Sequence, residues 1–249
     1  MLSENAETAF AAQSYANGKA FAPVGPTLQS LFGRQAVEKF EPGSAILWEG
    51  DAASHIFEVM DGVLRVFRIL ADGRRVITGF LYPGDILGVS LKDRYLYSAE
   101  AVTHVQVRRF PRNKFQEEIN RSPELRPQLF SKLCDEMAAA QDQMVLLARK
   151  NAEERVCSFL LAMARKKGAK QETPVIEVAM TRLDMADYLG LTIETVSRTI
   201  TKLIGRGVIA SIGRHGLKIL KLEKLVVLAG DGDEEDKSCG YARQAVWPN

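Results

Sequence analysis

Residues 181–206, TRLDMADYLGLTIETVSRTITKLIGR, constrain the fold more than any other stretch of the chain. They hold two short amphipathic helical patterns joined at Leu189-Gly190-Leu191, where only a tight turn fits. Thr181 is placed to cap the first helix, with Asp184 as its capping-box partner. Thr192 is placed to cap the second. After it, Val196, Ile200, Leu203 and Ile204 fall at i, i+4, i+7 and i+8, a stripe expected to be buried. Glu194, Ser197, Arg198, Thr201 and Lys202 take the opposite face. Such a face suits the major groove of double-stranded DNA. Arg can meet guanine O6 and N7 together, Glu can accept from cytosine N4, and small hydroxyls fit beside bases. Lys202 lies far enough along to be expected at a phosphate. A merely solvated helix face gives a similar pattern, so the segments that follow decide its weight.

Gly205 and Gly207 mark the helix end. Val208–Ile212 then reads as a strand, Gly213-Arg214-His215-Gly216 as a turn and Leu217–Leu220 as a second strand. This is a wing, a hairpin that sets Arg214, His215 and Lys218 beside the helix expected to enter DNA. Charge favours the same end of the chain. From Lys150 to Lys224 there are 14 basic and 8 acidic residues, a net of +6, whereas residues 1–149 carry a net of −1 and residues 225–249 a net of −3. The overall +2 therefore hides a basic module of the kind that releases counterions from phosphate.

At 249 residues the chain is long enough for two domains with separate cores. No run approaches a membrane span, and the N-terminus lacks a charged segment followed by an apolar one. The three cysteines, Cys134, Cys157 and Cys239, form neither a disulfide framework nor a metal-ligand cluster. A reducing, cytoplasmic compartment is expected, with no membrane partner. Cys134 and Cys157 are the candidates for redox control; the plainer reading makes them small buried hydrophobes.

Residues 1–30 read as a loose lead-in rich in Ala and polar residues. From Gln35 to about Phe110 short β-branched or alternating runs are punctuated by glycine. Strands are expected over Ala45–Trp48, His55–Met60, Val63–Ile69, Arg75–Leu81, Ser98–Ala101 and His104–Arg109. Turn signals such as Asp61-Gly62, Asp72-Gly73 and Pro83-Gly84-Asp85 separate them, as in a sandwich or jelly-roll barrel. After Pro111 the period becomes helical. Asn113–Asn120 is a short helix, and a long helix with Pro127 in its first turn runs to about Lys150. In it Leu129, Leu133, Met137, Ala140, Met144 and Leu147 step by 4, 4, 3, 4 and 3, a heptad seam that favours pairing of two subunits over packing on the chain's own barrel. Asn151–Lys167 is expected as a helix, Gly168–Pro174 as a polar turn and Val175–Val178 as a strand.

The expected fold is α+β. It comprises a flexible segment (1–27), a β-roll of double-stranded β-helix or jelly-roll form (28–126), a dimerisation helix (127–150), a winged helix-turn-helix (151–228) and a disordered acidic tail (229–249). This order resembles the family of the cyclic-AMP receptor protein and the fumarate-nitrate reduction regulator (Crp/Fnr) over roughly residues 28–224. Its marks are Pro83-Gly84-Asp85 in the roll, Asn151-Ala152-Glu153-Glu154-Arg155-Val156, and Glu194-Thr195-Val196-Ser197-Arg198. The Glu-x-x-Ser-Arg form is similar to the fumarate-nitrate branch. That resemblance implies a TTGA half-site within an inverted repeat, with Glu194, Ser197 and Arg198 touching bases. Thr181, Arg182, Thr192, Thr195, Thr201, Lys202, Arg214 and Lys218 are the expected backbone or supporting contacts. RNA polymerase is the further partner implied.

Departures from the family are as telling. Cyclic-AMP binders carry Gly-Glu after the roll turn and a later Arg-Ser pair; here the stretches read Gly88-Val89-Ser90 and Tyr97-Ser98-Ala99. No Arg is placed to neutralise a cyclic phosphate. Iron–sulfur relatives use an N-terminal cysteine group, whereas the first cysteine here is Cys134. With both sensors missing and no cofactor expected, the chain resembles FixK-type regulators, which serve microaerobic, nitrogen-fixation and denitrification genes. The expectation is a homodimeric transcription regulator, an activator rather than an enzyme. The alternatives are a same-family protein gated by a small ligand or haem in the roll, and an enzyme or non-DNA binding module on a jelly roll. Against an enzyme, the sequence offers no nucleophile–base pair, metal-ligand spacing or phosphate loop.

Overall fold

A computed structural model describes residues 26–90, 92–166, 175–213 and 216–231. The elements run α1 (Leu28–Phe32), β1 (Val37–Phe40), β2 (Ala45–Leu47), β3 (His55–Asp61), β4 (Leu64–Ile69), β5 (Arg75–Leu81), β6 (Ile86–Leu87), β7 (Ser98–Ala101) and β8 (Val105–Pro111). Then follow α2 (Arg112–Arg121), α3 (Leu125–Arg149), α4 (Ala152–Lys166), β9 (Val175–Glu177), α5 (Arg182–Leu189), α6 (Ile193–Gly205), β10 (Ile209–Ile212), β11 (Gly216–Ile219) and α7 (Leu222–Leu228).

The first eight strands make two four-stranded antiparallel sheets, ordered β1-β8-β3-β6 and β2-β7-β4-β5. Alternation along each strand sends one set of side chains between the sheets. Phe57, Val59, Leu64, Ala99, Val105 and Val107 fill that space. The hairpin from β3 to β4 turns at Gly62, where φ is +86° and a Cβ would stand 2.2 Å from the His104 carbonyl oxygen, so only glycine fits. The outer face of the first sheet presents Ile56, Ile86 and Phe110 to α1, α2 and the start of α3, where Phe32, Phe115 and Leu125 close a second core. The outer face of the second sheet carries Phe67, Ile77 and Phe80 into the core of the C-terminal domain. There the Phe80 ring lies 5.3 Å from Tyr188 and 6.4 Å from Phe159.

The expected architecture is thus found, with several corrections. The lead-in ends earlier than residue 30: Thr27 and Ser30 form a capping box, and Leu28 and Phe32, one turn apart, are buried. Strands β1 and β6 and helices α1 and α7 were not expected. All are short and gain their stability from neighbours rather than from their own pattern. The wing is a three-stranded sheet, β10-β11-β9, because β9 pairs with β11. The tail's first residues are held: Ala229 is buried and Asp231 pairs with Lys150 at 2.6 Å. Arg214, His215, Cys239, the Gly168–Pro174 turn, and residues 1–25 and 232–249 of the expected terminal segments lie outside the described residues.

Candidate nucleic-acid interface

The interface is built from two capped helices. Thr181 Oγ1 accepts from the Asp184 N–H at 3.1 Å, and Asp184 Oδ2 accepts from the Thr181 N–H at 3.1 Å, the reciprocal box that the sequence predicts. Gly190 closes α5 in the left-handed region at φ +62°. Thr192 Oγ1 accepts from the Thr195 N–H at 3.3 Å and starts α6. Val196, Ile200 and Leu203 are buried against α4, α5 and the wing. Thr199 joins them, its hydroxyl returned to the Thr195 carbonyl at 2.8 Å. Ile204 is the correction: it is 40% exposed. At i+8 from Val196 the stripe has turned past the packed face, and the helix ends one residue later.

The outward face keeps Glu194, Arg198 and Thr201 exposed and Ser197 half-buried. Glu194 is held below the usual carboxylate range chiefly by its own backbone N–H, then by the Thr192 hydroxyl, with Arg198 contributing least. Among the described residues Arg198 enters no ion pair, which leaves its guanidinium presented outward. Lys202 also has a partner within the chain. Its ammonium pairs with Glu153 of α4, and Arg206 Nη1 meets the other oxygen of the same carboxylate at 2.7 Å. Sequence spacing alone could not find Glu153, which lies 49 residues before Lys202. Arg182 is half-buried with Nη1 3.4 Å from Met185 Sδ, and burial lowers its pKa. Lys218 is half-buried in β11.

Two devices fix this domain relative to the rest. The first is an ion cluster. Arg75 reaches Asp184 at 2.9 Å and Asp187 at 2.8 Å, and Arg65 reaches Asp184 at 3.1 Å while also meeting Glu100. Asp184 is 1% exposed, so the box that starts α5 is also where the roll grips it. Two guanidiniums and the Thr181 groups satisfy the oxygens of this buried carboxylate. The second is Arg155. Its Nη2 donates to the Leu147 carbonyl at 2.8 Å, its Nε to the Lys150 carbonyl at 2.9 Å and its Nη1 to the Leu189 carbonyl at 2.9 Å. One side chain thereby closes the carbonyls at the ends of α3 and α5 together. Gln143 adds a bond from α3 to the Tyr188 carbonyl at 2.8 Å.

The α3 seam has the opposite environment. Leu133, Met137 and Met144 are 43%, 59% and 62% exposed, and Ala140 and Leu147 are exposed with them. Leu129 alone of the seam packs on the chain's own roll. Between α3, β5 and α5 lies a groove of about 1060 Å³ whose lining includes Ala140 and Leu147.

The residues at the roll turn do not suit a cyclic nucleotide. Gly88 N–H donates to the Tyr97 hydroxyl at 2.9 Å, so the backbone donor at the turn is occupied by the chain itself. The Tyr97 phenol is pushed up by burial, with Glu136 of α3 adding to the effect. Glu136 is itself raised by burial and then by Asp85. A carboxyl group acting on this phenol makes a poor cradle for a phosphate. Cys157 is fully buried and its thiol is pushed up to about 12, first by burial, whereas Cys134 is half-buried. Among the described residues no three His, Cys, Asp or Glu are grouped to hold a metal ion, and no helix is long and apolar enough to cross a membrane.

Comparison with known proteins agrees with this geometry. Residues 154–228 match the Crp-like helix-turn-helix domain and residues 37–122 the cyclic nucleotide-binding domain. The chain is 41% identical to the nitrogen fixation regulation protein FixK of Bradyrhizobium diazoefficiens, over 76% of this chain and 80% of that protein. It is 37% identical to the transcriptional activatory protein AadR of Rhodopseudomonas palustris, over 84% and 81%. The structure of FixK2 from Bradyrhizobium japonicum superposes with a TM-score of 0.73 at 31% identity, covering 78% of this chain and 96% of that one.

Proposed function

The chain belongs to the FixK branch of the Crp/Fnr family of DNA-binding transcription regulators, and from that premise we propose a homodimeric activator that reads a TTGA-type inverted repeat without cyclic nucleotide or iron–sulfur cluster. The observation that carries the reading is α6 itself: a packed stripe of Val196, Ile200 and Leu203 behind an outward face of Glu194, Ser197 and Arg198. Arg198 reads guanine, Glu194 accepts from a base amino group, and Ser197 allows close approach. Thr192, Thr195, Thr201, Thr181, Arg182 and the wing, with Lys218 and Arg214, support the contact at the backbone.

The bare α3 seam supports the dimer. Pairing two copies along Leu133, Met137, Ala140, Met144 and Leu147 covers apolar surface that the chain alone leaves in water. Two α6 helices then enter successive major grooves about 34 Å apart, which matches an inverted repeat. The roll works as a scaffold, because Tyr97 occupies the Gly88 donor. An activator working on DNA in the cytoplasm engages RNA polymerase as its second partner, and no catalytic activity is assigned. Relatives named as nitrogen fixation regulation proteins support nitrogen-fixation genes as targets, and microaerobic and denitrification genes are proposed beside them.

Mobility shifts with three duplexes test this: a TTGA inverted repeat, a single TTGA and a scrambled repeat. The expected result is a complex of two chains on the repeat and much weaker binding to the others. Equal affinity for all three would overturn the reading.

A further inference from the structure

The residues Glu194, Arg198, Lys202 and Arg206 are spaced by four and form one ridge along α6 that continues just past its end. The two ends of the ridge differ. Arg198 is presented outward, whereas Lys202 and Arg206 are both closed onto Glu153. Glu153 stands in the first turn of α4, its N–H donating to Asn151 Oδ1 at 3.0 Å, so its position is set by a capped helix start. Its two oxygens are divided between the two cations, Oε2 to Lys202 and Oε1 to Arg206. Both cations remain over 40% exposed, so they sit at the surface but are neutralised there.

We infer that Glu153 sets how strongly the domain grips DNA of any sequence: it withholds Lys202 and Arg206 from the phosphate backbone. The inference rests on the DNA-reading role assigned to α6. A cation that releases one counterion strengthens binding to every sequence alike, so two free cations on this ridge would raise affinity for random DNA as much as for the operator. Paired with Glu153, each must first break an ion pair to reach a phosphate. Base readout by Arg198 and Glu194 is untouched, because those side chains make no contact with Glu153. The restraint therefore lowers affinity for operator and random DNA by the same factor, so random DNA is held weakly and the operator is held chiefly by its base contacts.

The experiment compares the full-length protein with Glu153→Gln on operator and random duplexes across a salt series. Glu153→Gln is expected to raise random-DNA affinity several-fold at low salt and steepen the logarithmic salt slope by about one to two units. Operator affinity rises by a similar factor, so the ratio of operator to random affinity stays nearly unchanged. Adding Lys202→Met and Arg206→Met to that variant removes the gain. A Glu153→Gln protein that melts like the parent yet shows unchanged or weaker random-DNA binding would overturn the inference. Should Glu153→Gln fold poorly, Lys202→Met/Arg206→Met in the parent decides. An almost unchanged slope is expected, since both cations are already engaged, and a slope shallower by about two units overturns it. Absence of operator binding by the parent is the separate failure of the DNA reading itself.

Discussion

Helices α3 and α6 carry apolar residues at nearly the same spacing and meet opposite fates. In α6 the stripe is buried within the chain; in α3 Leu133, Met137 and Met144 stand in water. Periodicity tells which side chains share a face, and nothing about what covers that face. The difference lies in the neighbours. Around α6 the chain supplies α4, α5 and the wing within a short reach. Around α3 it supplies the roll near the helix start, through Leu125 and Leu129, and the C-terminal domain near its end, through Leu146 and Gln143, but leaves Leu133, Met137 and Met144 exposed. One helix completes a domain, and the other leaves a surface to be completed by a second copy.

The largest effect should come from breaking the α3 side of this contrast. Leu133→Asp with Met144→Asp leaves the monomer's cores intact but places charge in the proposed seam. The variant is expected to sediment as a monomer and lose about 10²–10⁴-fold in operator affinity, because the second half-site no longer binds intramolecularly. A dimeric variant would show that the seam serves another purpose. The converse test strikes α6. Leu203→Ala empties a fully buried position and should cost about 2–5 kcal/mol in the DNA-binding domain. Met137→Ala, at an exposed position, should cost the isolated monomer little. Chemical denaturation of both in the α3-disrupted background gives the comparison, and equal losses would contradict it.

A smaller effect sharpens the reading of the α6 outer face. Arg198→Ala should weaken operator binding by about 1–3 kcal/mol per half-site and relax preference at one base pair. Titrations against operators altered one pair at a time check this, and an equal loss on random DNA would remove the base-reading role. The smallest effect uses the two described thiols as reporters. Cys134 lies on α3, and Cys157 lies in the core behind α6 with its thiol pushed up to about 12. A raised thiol pKa means fewer thiolates, on the order of one in ten thousand at pH 8. Alkylation of the folded protein should modify Cys134 and spare Cys157 until denaturant is added. Peptide mapping that finds both equally modified would mean that the core behind α6 opens readily.

Much of the DNA-reading unit was legible in the sequence because its signals are local. Thr181 with Asp184, Thr192 with Thr195 and Gly190 each act within a few residues. The stripe failed only at Ile204, where the helix had turned past its support. What stayed hidden depends on partners far along the chain. Glu153 meets Lys202 across 49 residues, and Asp184 meets Arg65 across 119. The Tyr97–Gly88 bond lies within a recognised departure from the family pattern, yet its geometry needed the folded roll. Strand β6 is two residues long and exists only because β3 runs beside it.

The guanidinium of Arg155 has a consequence at the promoter. By tying the ends of α3 and α5 together it makes the proposed dimer a gauge of fixed span. One base pair inserted between the half-sites turns the far site by about 35° around the DNA axis. A loosely hinged reader would follow it. Here the protein has little slack, so the twist must be absorbed by the duplex, whose stiffness depends on the bases in the spacer. The untouched centre of an operator thereby becomes part of its address.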